Sequence, residues 1–563
     1  MTTTPETRLL DLYDRVAEAP DAIERLRKFV LDLAVRGKLV EQDEGDEPAG
    51  ELLKRISEKR KQLDLKCKKS PLASEDEPFQ LPENWRWTRV GAICAKTGSG
   101  STPRGGKSVY KSSGIPFLRS QNVHNDGLRM DDVAYIDQHT HERMIGTGVL
   151  SGDLLLNITG GSIGRCAQVP EDFGDANVSQ HVAIIRPAIR GLERYLHNLI
   201  LAPYFQSHIL SSQTGAGRGG LPKYRMDTIP VALPPLPEQH RIVAKLDELM
   251  ALLDRLESTR TKRETTRDRL TTASLTRLTA PDTTEEDFPG HARFALENLE
   301  ELISRPEQIK VLRQTILNLA VRGELVEQDP ADEPAEELLK KIAQDKEHRA
   351  VSARDRRASL IKPIVSTDAP FDIPLSWVWA AFGDITISRD GERVPVSKAE
   401  RENRAKIYDY YGASGVIDKI DGYLFDRPLL LIGEDGANLI NRSTPIAFIA
   451  RGKYWVNNHA HVLDGLDEEY LRFLALFINA IDLKPFVTGT AQPKMNQAKM
   501  NSIPVALPPL PEQHRILATV DALMSLCNQL DSALDGADSS RARLLEVLLH
   551  DSLAQEARNR AAA

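Results

Sequence analysis

Ile229-Pro230-Val231-Ala232-Leu233-Pro234-Pro235-Leu236-Pro237-Glu238-Gln239-His240-Arg241-Ile242 occurs twice in this chain, returning letter for letter at 503–516, an offset of 274 (229 to 503). Chance does not produce such an identity, and a repeat decides architecture before any local propensity does. Two further echoes lie upstream. Leu33-Ala34-Val35-Arg36-Gly37 and Leu39-Val40-Glu41-Gln42-Asp43 return as Leu319-Ala320-Val321-Arg322-Gly323 and Leu325-Val326-Glu327-Gln328-Asp329. Pro82-Glu83-Asn84-Trp85-Arg86-Trp87 is answered by Pro374-Leu375-Ser376-Trp377-Val378-Trp379. Each half therefore reads as arm, Trp-x-Trp, body, Pro-rich exit and long helix. The stretch from first Trp to exit Ile is 144 residues in one half (85 to 229) and 126 in the other (377 to 503). Apart from Pro222-Lys223 and Pro493-Lys494, the two bodies do not align by eye, so a shared frame carries unlike surfaces.

After each exit a helix is legible. Pro237 and Pro511 suit a first turn, and Glu238 and Glu512 favour the positive end of the helix dipole. Apolar residues then recur at steps of four and three: Ile242, Leu246, Leu249, Leu253 and Leu256 in one copy, Ile516, Val520, Leu523 and Leu530 in the other. That period predicts a coiled-coil seam, with packing of an amphipathic helix on its own body as the alternative. About 40 residues make a rod of about 60 Å, so two long helices lying antiparallel would act as a spacer. The arms, Asp21–Leu65 and Pro306–Arg357, read as helix, Arg-Gly break and helix. Val149–Ile158 and Leu429–Ile432 read as strands, and Leu192–Leu210 as helix.

The expected fold is mixed α/β: two globular α+β bodies separated by long antiparallel coiled-coil helices, with an internal twofold-like repeat. The expected divisions are an N-terminal helical arm (1–78), a first body (79–236), a central long helix (237–280), a linker (281–290), a second arm (291–365), a second body (366–510) and a C-terminal long helix (511–563).

Composition sets the outer limits. At 563 residues the chain exceeds what one core serves, and 73 Lys+Arg against 81 Asp+Glu leave a net charge of −8. A polyanion partner must therefore be met by local patches. The four cysteines, Cys67, Cys94, Cys166 and Cys527, show no paired spacing, which argues against a disulfide scaffold or zinc cluster and fits a reducing cytoplasm. The start of the chain has no leader pattern and no run is long and apolar enough to span a membrane, so a cytoplasmic location is expected.

Catalytic signatures are missing. Gly98–Ser108 fails the phosphate-loop register, because the position five before Gly106 is Ser101 and Pro103 interrupts. There is no Asn/Asp-Pro-Pro-aromatic methylation motif, no Gly-x-Gly-x-x-Gly turn and no nuclease-type carboxylate pair. His139/His141 and His459/His461 lack the company a metal needs. Neither a catalytic residue, nor a metal, nor a cofactor is expected in this chain.

Binding is the remaining reading. The first body holds 16 basic and 12 acidic residues (79–236), the second 15 and 17 (371–510), so residue type carries more than charge. Forked donors and acceptors gather at loops and strand ends, as base-edge recognition in the major groove requires. The candidate DNA contacts are Thr102, Arg104, Lys107, Lys111, Arg119, Gln121, Asn122, Asn157, Thr159, Gln180, His181, Arg218, Lys223 and Arg225 in the first body. In the second they are Tyr411, Asn438, Asn457, Asn458, His459, Gln492, Lys494 and Asn496. The alternative is a structural adaptor that binds no DNA and bridges two copies of a partner protein through its arms.

The residues also carry a resemblance. Gly100-Ser101-Thr102-Pro103, Gly114-Ile115-Pro116-Phe117, Gly152-Asp153-Leu154-Leu155-Leu156, Gly160-Gly161-Ser162-Ile163-Gly164, Tyr411-Gly412-Ala413-Ser414-Gly415 and the duplicated Pro-Pro-Leu-Pro-Glu-Gln-His-Arg-Ile resemble the specificity (S) subunit of Type I restriction-modification systems. The resemblance covers nearly the whole chain, and the arm before Trp85 is similar to the longer-armed branch. It implies that the bodies are target recognition domains, each reading half of a split asymmetric site in double-stranded DNA. It further implies two docked methyltransferase (modification) subunits, joined by restriction/translocase subunits. S-adenosylmethionine, ATP and Mg then belong to those partners, which carry out adenine methylation and restriction.

Overall fold

The computed structural model describes residues 18–561, apart from 66–71, 73–76, 213–218, 281–282, 285, 350–360, 362–363, 365–368 and 490–491. The chain divides into two compact units, 1–262 with 538–563, and 263–537. In the first unit the arm forms α1 (Ala22–Val35) and α2 (Ala49–Gln62). Gly37 breaks the arm at φ +67°, where a Cβ would also meet Pro82 at 2.5 Å. β1 (Arg86–Arg89) carries Trp87, and Trp85 directly precedes it. The body continues through β2 (Cys94–Ser99), β3 (Ile115–Leu118), β4 (Ala134–Ile136), β5 (Leu154–Asn157), β6 (Cys166–Gln168), β7 (Asn177–Val178) and β8 (Val182–Pro187). Then come α3 (Glu193–Leu201), α4 (Pro203–Ser211), α5 (Lys223–Thr228), β9 (Pro230–Leu233) and α6 (Leu236–Arg277).

The second unit follows the same frame. Its arm is α7 (Pro306–Arg322) and α8 (Ala335–Arg349), broken at Gly323 with φ +77°. The body holds β10 (Val378–Ala381), β11 (Ile387–Ser388), β12 (Tyr408–Gly412), β13 (Gly415–Ile420), β14 (Phe425–Asp426), β15 (Leu429–Gly433), β16 (Ala447–Ala450), β17 (Lys453–Val456) and β18 (Ala460–Asp464). It closes with α9 (Glu468–Ala480), α10 (Gln497–Asn501), β19 (Pro504–Leu507) and α11 (Leu510–Ala561).

Pairing explains why the landmarks recur. Each Trp-x-Trp strand is antiparallel to the strand at the exit of its own body, with Trp87 opposite Ala232 and Trp379 opposite Ala506. Between them sits a four-stranded antiparallel sheet in the order β2-β8-β5-β6 in one unit and β11-β18-β15-β16 in the other. The bodies thus share a topology that their letters do not show. β5 and β15 are buried along their whole lengths, and a strand covered on both faces requires apolar bulk and no particular alternation. What differs is the further sheet: three strands, β4-β3-β7, in the first unit, and four, β13-β12-β17-β14, in the second.

Four expectations are corrected. The apolar stripes do not begin as a helix–helix seam: Ile242 and Leu246 belong to the core of the first body, Ile516 and Val520 to that of the second. Leu253 is buried, Leu249 and Leu256 are half-buried, and Leu523 and Leu530 pack partly against the second core. The cause is burial, since each body core takes in the apolar face of the first turns; the surface ion pairs Arg194–Asp247 (2.9 Å) and Arg472–Asp521 (2.6 Å) link each long helix to a helix of the same body. Farther along, Leu275 and Leu278 pack with Ala295 and Leu319, and Leu545 and Leu548 with Ala19 and Ala22, so arm segments cover the stripes there. Second, the expected linker overlaps a helix, Phe288–Glu297, whose proline occupies the first turn. Third, the Leu192–Leu210 helix is two helices, because Pro203 cannot continue α3 and starts α4 instead. Fourth, the strand in Val149–Ile158 is confined to β5, the Gly152–Asp153 turn preceding it.

Candidate nucleic-acid interface

The central strands deliver polar residues to one edge of each body. In the first unit, three segments meet where β5 ends and β8 begins. Ile158 N–H donates to the His181 carbonyl (3.0 Å), Leu221 N–H to the Ile158 carbonyl (2.9 Å), and Thr159 bridges Gly220. His181 Nδ1 lies 2.7 Å from Thr159 Oγ1, and Gln180 Nε2 lies 3.4 Å from His181 Nε2. Thr102 Oγ1 donates to Gln180 Oε1 (3.1 Å). The Gly100–Ser101 turn reaches this junction through Gly100 N–H to the Val182 carbonyl (2.9 Å), and a Cβ on Gly100 would strike the Val178 carbonyl. Thr102, Thr159, Gln180 and His181 are therefore brought together.

The second unit builds the same junction from other letters. Glu434 N–H donates to the His459 carbonyl (2.8 Å), Met495 N–H to the Glu434 carbonyl (2.8 Å), and Asp435 bridges Lys494. His459 Nδ1 lies 2.7 Å from Asp435 Oδ2, and Lys494 Nζ lies 3.2 Å from Glu434 Oε1. Asn457 Oδ1 accepts from His459 N–H (2.8 Å), and Asn457 N–H donates to the Tyr411 carbonyl (3.1 Å). Asn457, Asn458, His459 and Lys494 thus gather with two carboxylates, Glu434 and Asp435, that the sequence reading did not select.

Other selected residues have different employment. Asn157 is fully buried and donates to the Ser120 carbonyl (2.8 Å); Asn122, also buried, donates to the Arg129 carbonyl (3.0 Å). Both are internal braces, with no amide available to a base edge. Arg119 and Gln121 are held by Asp132. Asn438 closes a turn onto Ser443 and Thr444, and Asn496 caps α10 by accepting from Lys499 N–H (2.9 Å). Tyr411 stacks on Phe448, centroids 5.9 Å apart. Lys223 pairs with Asp227 (3.0 Å), and Arg225 lies over the Tyr224 ring. Arg104, Lys111, Asn458 and Gln492 are exposed. Lys107 lies in the short turn Gly106–Val109, and Arg218 lies outside the described residues.

Residues 82–264 and 374–535 match the Type I restriction modification DNA specificity domain, a family match over more than half of the chain. The chain belongs to this family. Among curated relatives, the Escherichia coli Type I restriction enzyme EcoEI specificity subunit is 29% identical over 582 residues, covering 96% of this chain and 94% of its own. The EcoAI specificity subunit of the same organism is 29% identical over 584 residues, with the same shares covered. A solved HsdS subunit from Thermoanaerobacter tengcongensis is 18% identical with a TM-score of 0.43, over 84% of this chain and 98% of that one. As a Type I specificity subunit the chain is a recognition component and not an enzyme. Among the described residues, no cluster of three or more potential metal ligands occurs, and no helix is long and apolar enough to cross a membrane.

Beside the second junction the specificity subunit carries a buried polar network. His461 places Nδ1 2.6 Å from Asp390 Oδ2 and Nε2 3.0 Å from the Met495 carbonyl, while Arg393 bonds Glu434 (3.0 Å) and the Ala460 carbonyl (2.7 Å). Burial pushes the His461 pKa down, but the Asp390 hydrogen bond and charge, with the Met495 carbonyl and Glu434, outweigh it and raise the net value. A raised histidine pKa stabilises the fold fully below the ordinary value of about 6.5 and is lost as pH rises through the folded value. Urea unfolding followed across that window is therefore expected to show falling stability in the wild type. His461→Gln flattens this component of the profile; an unchanged profile would remove His461 as its source.

Proposed function

We propose that this chain is the sequence-specific DNA-binding specificity subunit of a Type I restriction-modification complex, reading a bipartite asymmetric site and directing adenine methylation and restriction by its partner subunits. Residues 79–236 and 366–510 serve as the two target recognition domains, and the long helices as the spacer between them. Two methyltransferase subunits dock on the duplicated frame, restriction/translocase subunits join them, and S-adenosylmethionine, ATP and Mg act in those partners. The observation that carries the reading is the repeated strand-end junction: one backbone arrangement, built in both units, presenting different polar side chains. Phosphate contacts set register and base contacts select sequence, so two unlike junctions on one frame suit two unlike half-sites.

An electrophoretic shift on pooled random duplex, with and without the methyltransferase subunits, tests it. Enrichment of two fixed words at a fixed separation is expected; retention of unselected duplex alone would refute it. Phosphate contact has its own readout. Arg104 is exposed and has no ion-pair partner among the described residues, whereas Lys223 is already paired with Asp227. Arg104→Ala is thus expected to weaken binding equally across sequences and to lower the salt slope by about 1. Lys223→Ala should change the slope less, and equal slopes would reverse that ranking.

A further inference from the structure

We infer that the residue facing the strand-end histidine, Thr159 in the first unit and Asp435 in the second, determines which base is accepted at one position of each half-site. The inference rests on the two-body reading above and names the side chains that do the selecting. Three observations carry it. The backbone bonds at the two junctions correspond one for one: Ile158 with Glu434, His181 with His459, Leu221 with Met495, and the bridges Thr159–Gly220 with Asp435–Lys494. Where the backbone corresponds, two side chains differ in kind, Thr159 against Asp435 and Gly220 against Lys494, while Gln180 and Asn458 share an amide. Finally, Gln180, His181, Asn458 and His459 are exposed, whereas Asn122 and Asn157 are buried braces.

The chemistry of the pair gives the selection its sign. In the second unit a carboxylate oxygen of Asp435 lies 2.7 Å from His459 Nδ1. A carboxylate can only accept, so Nδ1 carries the proton and Nε2 is the ring's remaining hydrogen-bonding atom. In that tautomer Nε2 is an acceptor, and an acceptor suits the free hydrogen of an exocyclic amino group, the major-groove mark of cytosine and adenine. In the first unit the hydroxyl of Thr159 both donates and accepts, so it imposes no such tautomer on His181. Gln180 and Asn458 both end in an amide, so the contrast between the junctions rests on Thr159 against Asp435 and Gly220 against Lys494. The first position accordingly follows a different rule from the second.

The test uses the complete complex in cells and reads the genome-wide methylated motif, with duplex binding by the purified complex as the second measurement. Asp435→Asn keeps the side-chain shape and adds a donor. Discrimination at one position of one half-site is expected to fall about 10- to 100-fold, the scale of one base-edge contact, with the other half-site and the salt slope unchanged. Thr159→Val, made separately, should relax one position of the opposite half-site. A uniform loss of affinity with the motif intact would make these residues structural and overturn the inference, as would an unaltered motif at unaltered affinity. A wild-type complex with no bipartite motif would fail differently, by removing the two-body reading itself.

Discussion

Glu238→Ala is expected to lower the unfolding free energy of the first unit by about 1–3 kcal/mol, and Glu512→Ala to do the same in the second. The reason is that one buried carboxylate joins three landmarks of the repeat. Trp85 Nε1 donates to Glu238 Oε2 (2.9 Å) and Gln42 Nε2 to its Oε1 (2.7 Å). The second unit repeats the indole bond, Trp377 Nε1 on Glu512 Oε2 (3.0 Å), while Gln328 Nε2 donates to the Gly323 carbonyl (3.1 Å). Beside each carboxylate an arginine one helical turn on bonds the arm, Arg241 to Asp46 and Arg515 to Asp332, both at 2.7 Å. Alanine leaves the buried indole N–H unpaired, which costs about 1–3 kcal/mol, whereas the exposed Gln42 amide turns to water. Glu238→Gln keeps one acceptor and should cost about 1 kcal/mol.

The pH dependence has a definite sign. Burial raises the Glu238 pKa, against the lowering effect of its Trp85 and Gln42 bonds. The folded state therefore holds that proton more tightly than the unfolded one. This contribution is fully present below the ordinary carboxyl value of about 4.3 and is lost as pH rises through the raised value. Tryptophan fluorescence in urea titrations reports both quantities. An Ala variant within about 0.5 kcal/mol of wild type would show that the carboxylate is dispensable.

That carboxylate also explains what the sequence discloses. Trp85 and Glu238 lie far apart in the chain and recur together as Trp377 and Glu512, because the indole N–H and the carboxylate satisfy each other. A repeat maintained by mutual hydrogen bonds is visible as letters. The sheets are not: β5 and β15 require only apolar bulk, and the equivalence of β2-β8-β5-β6 with β11-β18-β15-β16 resides in backbone bonds that any such run can make. The long helices were legible from Pro237 and Pro511, but a stripe of step four and three states that a face is covered without stating by what. Ile242 and Ile516 accordingly join the bodies. At the junctions, His181 and His459 were legible as polar residues beside apolar runs. Asn122 and Asn157 were not separable from outward amides, since a bracing amide and a reading amide are the same letter. Asp435 is not legible as a reader, because amides and cations are the commoner base-edge groups; the Gly433-Glu434-Asp435-Gly436 turn directly after an apolar strand is the available signal.

Arg186→Ala is expected to destabilise the first unit by about 3–5 kcal/mol while leaving sequence preference intact. Asp153 is buried, and Arg186 holds it with two bonds, Nε to Oδ1 at 2.6 Å and Nη2 to Oδ2 at 2.7 Å, adding a third to the Gly148 carbonyl (3.1 Å). Removing the guanidinium strands a carboxylate that keeps the Leu150 N–H (2.8 Å), and an uncompensated buried charge is among the costliest single defects. The double variant Arg186→Ala with Asp153→Asn should recover part of the loss, because no charge then remains to be paired. The pair sits at one end of the β5–β8 ladder, beyond Ile185 opposite Leu154, whereas Thr159 and His181 sit at the other, beyond Val182 opposite Asn157. On the proposed reading, stability and base choice belong to opposite ends of the same two strands. Calorimetry on the single and double variants measures the first, and the methylated motif at a temperature where the single variant remains folded measures the second. A shifted motif in Arg186→Ala would mean that the ladder transmits strain along its length, and the two ends could not be treated as independent.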